Sequence, residues 1–589
     1  MKGFDVLKVK SAVKSHNKFD LSRSHLTTME FGQIVPLLAE ETVPGDKFSI
    51  NAEYFSRLAP LVKPTYGKFQ FKTVSGFVPY HQIAFDADAW IGGKTTFEGQ
   101  TPHQRWIRMG ELMSFFFNQC SVGGTSNDCA FSYVDSSGAQ QYRKWTNKGR
   151  YWAKILNALG YAVPQGLDQQ TGSYWLTTYK DVAVSAYPLL AFFKMYNDYM
   201  SQSQRFNISQ LSAFLQNVKY GRTQVGYQPA TGEIILSGIT LMFNNLLLNY
   251  ENDYFTSAWQ NPNSALSGAM ESVSTMNVPG VSGANWDGRI VSGNDFDAVQ
   301  LAVNSGSPST VEIPQRALDF LRSFDDWVRR NNYSGSRAVQ QVYSRFGIKT
   351  DDYKSHYANI ISTDSLPVQV GDVTSTADTT TATLGSYAGK GIMAGNKGIS
   401  CQVSDYGIIL ILGYFTVTPM NPYGFDRKVL RSDPLDYYTP EFDGLGADAI
   451  SLGEYYANAI AVAADTTHDT DVFGFTERYN SYRYGRDQIT GEFRDFHTFA
   501  DMNAWHTGRN LGMVRQLGNL VAQSSSVNTL ETNDSQYNRI FSVTNGDVDH
   551  FYLTCRFSVD ALRPMLNLNQ VPRLGEGDTT VPRNGNVIS

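Results

Sequence analysis

The segment Phe551-Tyr552-Leu553-Thr554-Cys555-Arg556-Phe557-Ser558-Val559 alternates apolar and polar residues without a break. Successive side chains of a strand point to opposite faces, so Phe551, Leu553, Cys555, Phe557 and Val559 share one face. The spacing predicts a half-buried β-strand near the C-terminus. At the other end of the chain, residues 32–43 and 47–55 are separated by Pro44-Gly45-Asp46, a Pro-Gly pair that favours a turn between extended segments. Residues 68–80 alternate through Phe69 and Phe71 before Gly76 and Pro79 interrupt the run. The run GIILILGYFTV, from Gly407 to Val417, is too short to span a bilayer and reads as a buried strand. We expect the first strand pair to lie in the same sandwich as the terminal strand.

Between these strand-rich ends, helical spacing occurs at residues 102–118, 150–159, 187–200, 314–330 and 336–346. In 314–330 a proline stands at the start, and Leu318, Leu321, Phe324, Trp327 and Val328 form one stripe, which predicts a core-facing helix. Gly, Ser and Asn supply 21 of the 50 residues in 261–310, with few charges and no sustained period, so this stretch reads as a long surface loop. Residues 362–400, rich in Thr, Ser, Gly and Asp, read the same way. The pattern predicts a mainly β chain with inserted helices: an N-terminal arm over 1–25 and one elaborated β-domain over 26–589 that carries 261–310 as an insertion.

Apolar residues make up 42% of the 589 residues and charged residues 18%, enough for a core and too little charge for a mainly disordered chain. The 33 Tyr and 35 Phe favour strands and association surfaces. A net charge of −6 excludes a protein that coats nucleic acid with its whole surface. The basic stretch is the N-terminus, where Lys2, Lys8, Lys10, Lys14, Lys18 and Arg23 outnumber Asp5 and Asp20. It reads either as a solvated arm or as an arm touching nucleic acid, with Lys8, Lys10 and Lys14 as the contacts. Cys120, Cys129, Cys401 and Cys555 show no zinc-ligand spacing, which fits a reducing compartment. No signal peptide and no membrane insertion are expected.

The chemical motifs fail on their own terms. Gly92-Gly93-Lys94-Thr95 ends like a phosphate-binding loop, but Asp88 stands where the first glycine is required. Gly389-Lys390-Gly391-Ile392-Met393-Ala394 satisfies a loose dinucleotide pattern in a context without a helix, and reads as a flexible loop. Asp86-Ala87-Asp88 begins like a calcium loop, yet Ile91 takes the glycine position. His497 and His506 lie near Asp495, Asp501 and Trp505 without a recognised ligand spacing, and Glu441 and Glu477 are isolated carboxylates. No G-x-S-x-G elbow occurs. The expectation is a protein with no catalytic, cofactor or metal site, whose work is done by surfaces, with the segment from Glu477 to Arg509 structural, its rings packed and its arginines paired.

Read in order, a series of short segments resembles the major capsid protein of microviruses, especially the gokushovirus-like lineages. Phe19-Asp20-Leu21-Ser22, Gly32, Pro36 and Pro44-Gly45-Asp46 are followed by Phe77-Val78-Pro79-Tyr80, with Tyr where the family commonly has Asn. Tyr187-Pro188, Tyr196-Asn197-Asp198-Tyr199 and Asp253-Tyr254-Phe255-Thr256-Ser257 come next, then Ser334-Gly335-Ser336-Arg337, Phe346-Gly347 and Asp351. Here Ser336 replaces the usual Thr, and Tyr357-Ala358-Asn359 stands where many members carry R-P-E-Y-L-G-G. Pro440-Glu441-Phe442, Leu445-Gly446, Phe473-Gly474-Phe475, Glu477-Arg478-Tyr479, Tyr482-Arg483, Gly491-Glu492-Phe493-Arg494 and Trp505-His506 complete the series.

The resemblance implies an eight-stranded viral jelly-roll β-sandwich with very long loop insertions. It also implies self-assembly into a T=1 icosahedral shell around circular single-stranded DNA. The implied partners are further copies of the chain, the packaged DNA, minor virion proteins such as a small DNA-binding protein and a pilot protein, and a bacterial surface receptor. The implied location is the virion, with assembly in the host cytoplasm. In gokushovirus-like relatives an insertion after the segment matching Asp253 to Ser257 builds a threefold protrusion, so 261–310 is expected to be the outermost feature, with Trp286 and Phe296 as anchors and receptor candidates. The competing readings are a secreted carbohydrate-binding or carbohydrate-cleaving β-protein and a capsid protein of another jelly-roll virus lineage.

Overall fold

Alternating segments from the two ends of the chain meet in one sheet. The computed structural model describes residues 16–99, 101–123, 131–134, 137–161, 181–201, 209–258, 357–374, 387–418, 420–443, 447–455, 472–494, 500–509, 535–543 and 548–565, with isolated positions at 275–276, 286–287, 343, 347 and 529–530. Eight strands carry the architecture: β1 (Arg23–Met29), β2 (Ile34–Thr42), β3 (Lys47–Leu58), β4 (Phe69–Pro79), β5 (Asn359–Pro367), β6 (Tyr387–Gln402), β7 (Gly407–Val417) and β8 (Phe551–Arg563).

One sheet has the order β1-β8-β3-β6, extended by Gln369–Thr374 beside β6 and by Asn17–Asp20, which pairs with the far end of β8. The other has the order β5-β4-β7-β2. Every pairing among these strands is antiparallel. Along the chain, the first strand pairs with the eighth, the second with the seventh, the third with the sixth and the fourth with the fifth. The expected meeting of the first strand pair with the terminal strand is direct: Cys555 lies opposite Tyr54 and Phe557 opposite Ala52. β2 lies in the facing sheet.

Period two decides what the sheets bury. In β3, Phe48, Ile50, Ala52, Tyr54, Ser56 and Leu58 are buried while their neighbours are exposed, and β8 repeats the pattern through Phe551, Leu553, Cys555, Phe557, Val559 and Ala561. These faces meet the opposite sheet ring to ring, with Phe551 stacked on Phe415 at 4.0 Å and Tyr54 edge-on to Phe71 at 5.5 Å. Each fully buried ring contributes roughly 1.5–3 kcal/mol over an exposed one. The turn between β2 and β3 closes as its sequence predicts: Gly45 takes φ +94°, and an Asp46 carboxylate oxygen accepts the Val43 N–H at 2.9 Å.

β7 is continuously apolar because both of its faces are covered. One meets the facing sheet, and helix α3 (Tyr187–Tyr199) packs on the other side against β4 and β7. Helix α2 (Asn147–Ala158) lies on β2, where the Tyr151 hydroxyl accepts the Ile34 N–H at 2.8 Å. α1 (Met109–Asn118) starts later than expected, since Trp106–Arg108 forms a strand with Ala183–Ser185 and Glu233–Ile234. α4 (Ser209–Lys219) and α5 (Leu236–Asn244) were not anticipated; their apolar stripes are short. The expected helices at 314–330 and 336–346 lie outside the described residues, apart from the isolated position 343.

Two expectations are corrected. Residues 362–400 are not a surface loop: β5, Gln369–Thr374 and β6 occupy most of the described part, and Gly389-Lys390-Gly391 sits inside β6. The glycines that suggested flexibility are small because neighbours press on them. A Cβ on Gly391 would meet Leu58 at 2.7 Å, and one on Gly395 would meet Leu366 at 2.5 Å. Residues 17–20 and 23–25, expected as the end of the N-terminal arm, instead run as strand along β8. Lys18 is paired there with Asp560 at 2.9 Å.

Candidate assembly surface

The residues singled out in the sequence are placed unevenly. Lys8, Lys10, Lys14, Phe296 and His497 lie outside the described residues. Within 261–310, Trp286–Asp287 pairs antiparallel with Thr275–Met276. Asp86 is committed to structure: it holds the buried Arg105 guanidinium at 2.8 Å and accepts the His103 N–H at 2.8 Å. Gly93-Lys94 follows a short helix instead of preceding one, so no helix N-terminus stands behind a phosphate there.

His506 is buried and structural in its contacts. Its Nε2 lies 2.7 Å from the Phe493 carbonyl, while Nδ1 accepts the Gly508 N–H at 3.0 Å. Burial, reinforced by the Arg539 charge, pushes its pKa below the ordinary value. With Nδ1 accepting, the ring proton sits on Nε2 and is donated to the Phe493 carbonyl. Trp505 stacks on the exposed Tyr66 ring at 5.5 Å. Among the described residues, no three His, Cys, Asp or Glu side chains group as a metal site, and no helix is long and apolar enough to cross a membrane.

Buried polar clusters tie the long insertions to the sheets. Asp198 of α3 takes Lys194 at 2.8 Å and the Ala358 N–H at 2.9 Å, and the Tyr199 hydroxyl donates to the Ala358 carbonyl, so the end of α3 holds the start of β5. Asp253 closes its own turn by accepting the Phe255 N–H at 2.9 Å and the Thr256 N–H at 2.6 Å. This aims Phe255 at Tyr455 and Phe473, the centre of a second, smaller core.

Beside that small core lies a surface that the sequence reading did not single out. Ala447–Ser451 pairs with Val472–Glu477, and the 3-10 turns Pro434–Asp436, Pro440–Phe442 and Asn480–Tyr482 gather at its end, where Arg478 donates to the Leu435 carbonyl at 3.4 Å and the Tyr438 N–H donates to the Tyr482 hydroxyl at 3.3 Å. The Arg431 guanidinium lies 4.0 Å from the centre of the Tyr482 ring and 5.8 Å from that of Tyr437. Arg478 sits over Phe442 and Tyr479 at 5.3 and 5.2 Å. Tyr438 stands edge-on to Tyr479 at 5.3 Å, and Arg483 bridges Asp443 and Glu477.

Of the arginines expected to be paired between Glu477 and Arg509, Arg483 meets Asp443 and Glu477 and Arg486 meets the Asn421 and Phe425 carbonyls, whereas Arg478 rests on rings and a carbonyl, and the rings are not all packed. Tyr479 is buried, whereas Tyr482, Tyr484 and Phe493 are exposed. Tyr437 and Tyr438 are 55% and 49% exposed, which makes this a wet aromatic face and not an unfinished core. The doublet Tyr437-Tyr438 and the repeating Arg-Tyr of 478–484 were the available signal.

The phage family described as Capsid protein (F protein) matches residues 7–96 and 165–573, most of the chain. Among curated relatives, Capsid protein VP1 of Chlamydia phage 1 is 23% identical over 570 residues, covering 88% of this chain and 91% of the relative. Capsid protein VP1 of Bdellovibrio phage phiMH2K is 22% identical over 532 residues, covering 88% and 90%.

Proposed function

The chain belongs to the phage Capsid protein (F protein) family, and from that premise we propose that many copies of it close into a T=1 icosahedral shell around circular single-stranded DNA. It is a major capsid protein of the microvirus type, a component of the virion and a structural protein, not an enzyme. The observation that carries the proposal is the pairing order, first strand with eighth through fourth with fifth. An antiparallel ribbon wrapped over on itself pairs its strands in this order, and the eight-stranded viral jelly roll is built that way. The connections that follow β4 and β7, residues 80–358 and 418–550, are the large ones, and they supply surface for contacts around symmetry axes.

In this reading residues 1–15 face the interior, where Lys8, Lys10 and Lys14 neutralise phosphates that the acidic remainder would repel. Residues 261–310 face outward towards a bacterial surface receptor, with Trp286 and Phe296 anchoring the loop on symmetry mates. Minor virion proteins, a small DNA-binding protein and a pilot protein among them, complete the particle, which assembles in the host cytoplasm. The genome is the test. DNA extracted from purified particles is expected to be degraded by a single-strand-specific endonuclease and to resist exonucleases that need a free end. A double-stranded genome would assign the chain to a different kind of virus.

A further inference from the structure

We propose that the aromatic and arginine face formed by residues 427–443 and 477–483 is a contact between copies of this chain in the shell. The proposal rests on the capsid reading and names one surface that does the joining. Its first support is a group of exposed apolar residues on a braced region. Val429, Tyr437, Tyr438, Phe442 and Tyr482 are all exposed. Val429 lies on a short helix capped by Asp426, Tyr437 and Tyr438 follow a proline-started turn closed by the Asp433 and Asp436 capping box, Phe442 and Tyr482 end 3-10 turns, and Arg483 is held by Asp443 and Glu477. Preorganised rings lose little conformational entropy on docking, and Tyr and Arg are enriched where protein contacts carry their energy.

Charge decides which partner fits. Within these two segments Asp433, Asp436, Glu441, Asp443 and Glu477 stand among Arg427, Lys428, Arg431, Arg478 and Arg483, so five carboxylates oppose five cations. Single-stranded nucleic acid also stacks on aromatic rings, but it needs a cationic groove for its phosphates, and this face would repel about as many as it attracts. A second copy presents the same mixture. Among the described residues Arg431 and Arg478 rest on rings, a hydroxyl and a carbonyl, not on carboxylates. The exposed carboxylate of Glu441 lies on a neighbouring turn. A cyclic arrangement can bring the acids of one copy against the arginines of the next.

The test uses the chain expressed with the remaining genes of its phage. The double variant Tyr437→Ser, Tyr482→Ser is expected to leave the unfolding midpoint of the free subunit within about 2 °C of the native one, because both rings are about half exposed. It is expected to lower the yield of sedimenting shells at least tenfold. Hydroxyl-radical footprinting of the unaltered protein supplies a second readout: Tyr437, Tyr438 and Tyr482 should be at least fivefold less modified in shells than in free subunits. Shells at native yield, or equal modification of the three tyrosines in shells and subunits, would overturn the proposal. Shells that form normally but bind less of a single-stranded oligonucleotide would overturn it in favour of nucleic acid. Absence of shells from the unaltered chain would instead remove the capsid reading on which it rests.

Discussion

Glu30 and His550 are both fully buried and meet at 2.5 Å, where the last residue before β8 touches the residue after β1. The other ring nitrogen of His550 lies 2.7 Å from the Val543 carbonyl, so both nitrogens face acceptors, an arrangement that favours the charged imidazolium. Burial opposes that charge, but the hydrogen bond and negative charge of Glu30 outweigh it and hold the His550 pKa above its ordinary 6.5. Burial in turn lifts the Glu30 carboxyl, with His550 pulling it back. Asp549 and Lys154, paired at 2.6 Å, are the other charged neighbours.

A folded-state pKa above the unfolded one means that the native protein binds more protons, so the stabilisation is complete below pH 6.5 and declines as pH rises through the shifted value. His506 has the opposite sign and acts below pH 6.5, which keeps the two windows apart. Glu30→Gln is expected to cost roughly 3 kcal/mol in urea unfolding, because it leaves a buried imidazolium without its counter-charge. It should also flatten the fall in stability as pH rises above 6.5. An unchanged slope in that variant would mean that the pair does not titrate as described. Nothing in the sequence marks this pair, since Glu30 and His550 are separated by nearly the whole chain and only the β1 to β8 pairing brings them together.

At the scale of elements, alternation was legible and glycine content was misleading. β3, β4, β7 and β8 announce themselves by period or by unbroken apolarity, and the Pro44-Gly45-Asp46 turn by its chemistry. β6 does not, because Gly389, Gly391 and Gly395 stand where another chain segment leaves no room, and that neighbour is known only after folding. Two substitutions separate this cause from flexibility. A Cβ on Gly389 would lie 2.9 Å from the Lys63 carbonyl oxygen, whereas one on Gly398 would meet nothing within 4 Å. Gly389→Ala is therefore expected to destabilise by about 1–3 kcal/mol through overpacking against backbone. Gly398→Ala should stabilise by about 0.5–1 kcal/mol through reduced freedom of the unfolded chain. Equal effects in urea unfolding would refute the steric explanation of the β6 glycines. The family motifs were legible for a related reason: Asp198 and Tyr199 hold the backbone of the distant Ala358, and Asp253 closes its own turn, so their identities are fixed by geometry that sequence order can display without explaining.

At the scale of the whole molecule, two face-to-face sheets form a rigid centre from which the long connections are hung. In the proposed reading, the contacts of the shell are made by those connections. The sequence carries 33 Tyr but does not show which of them remain wet. That depends on how the turns at 434–442 and 480–482 brace against their strand pair, a tertiary outcome. Reconstruction of purified particles by electron cryomicroscopy tests the account most directly. The account predicts a T=1 shell with the eight strands in its wall, residues 1–15 directed inward and residues 261–310 outermost. Particles without icosahedral symmetry, or a shell wall into which the two sheets cannot be fitted, would contradict it.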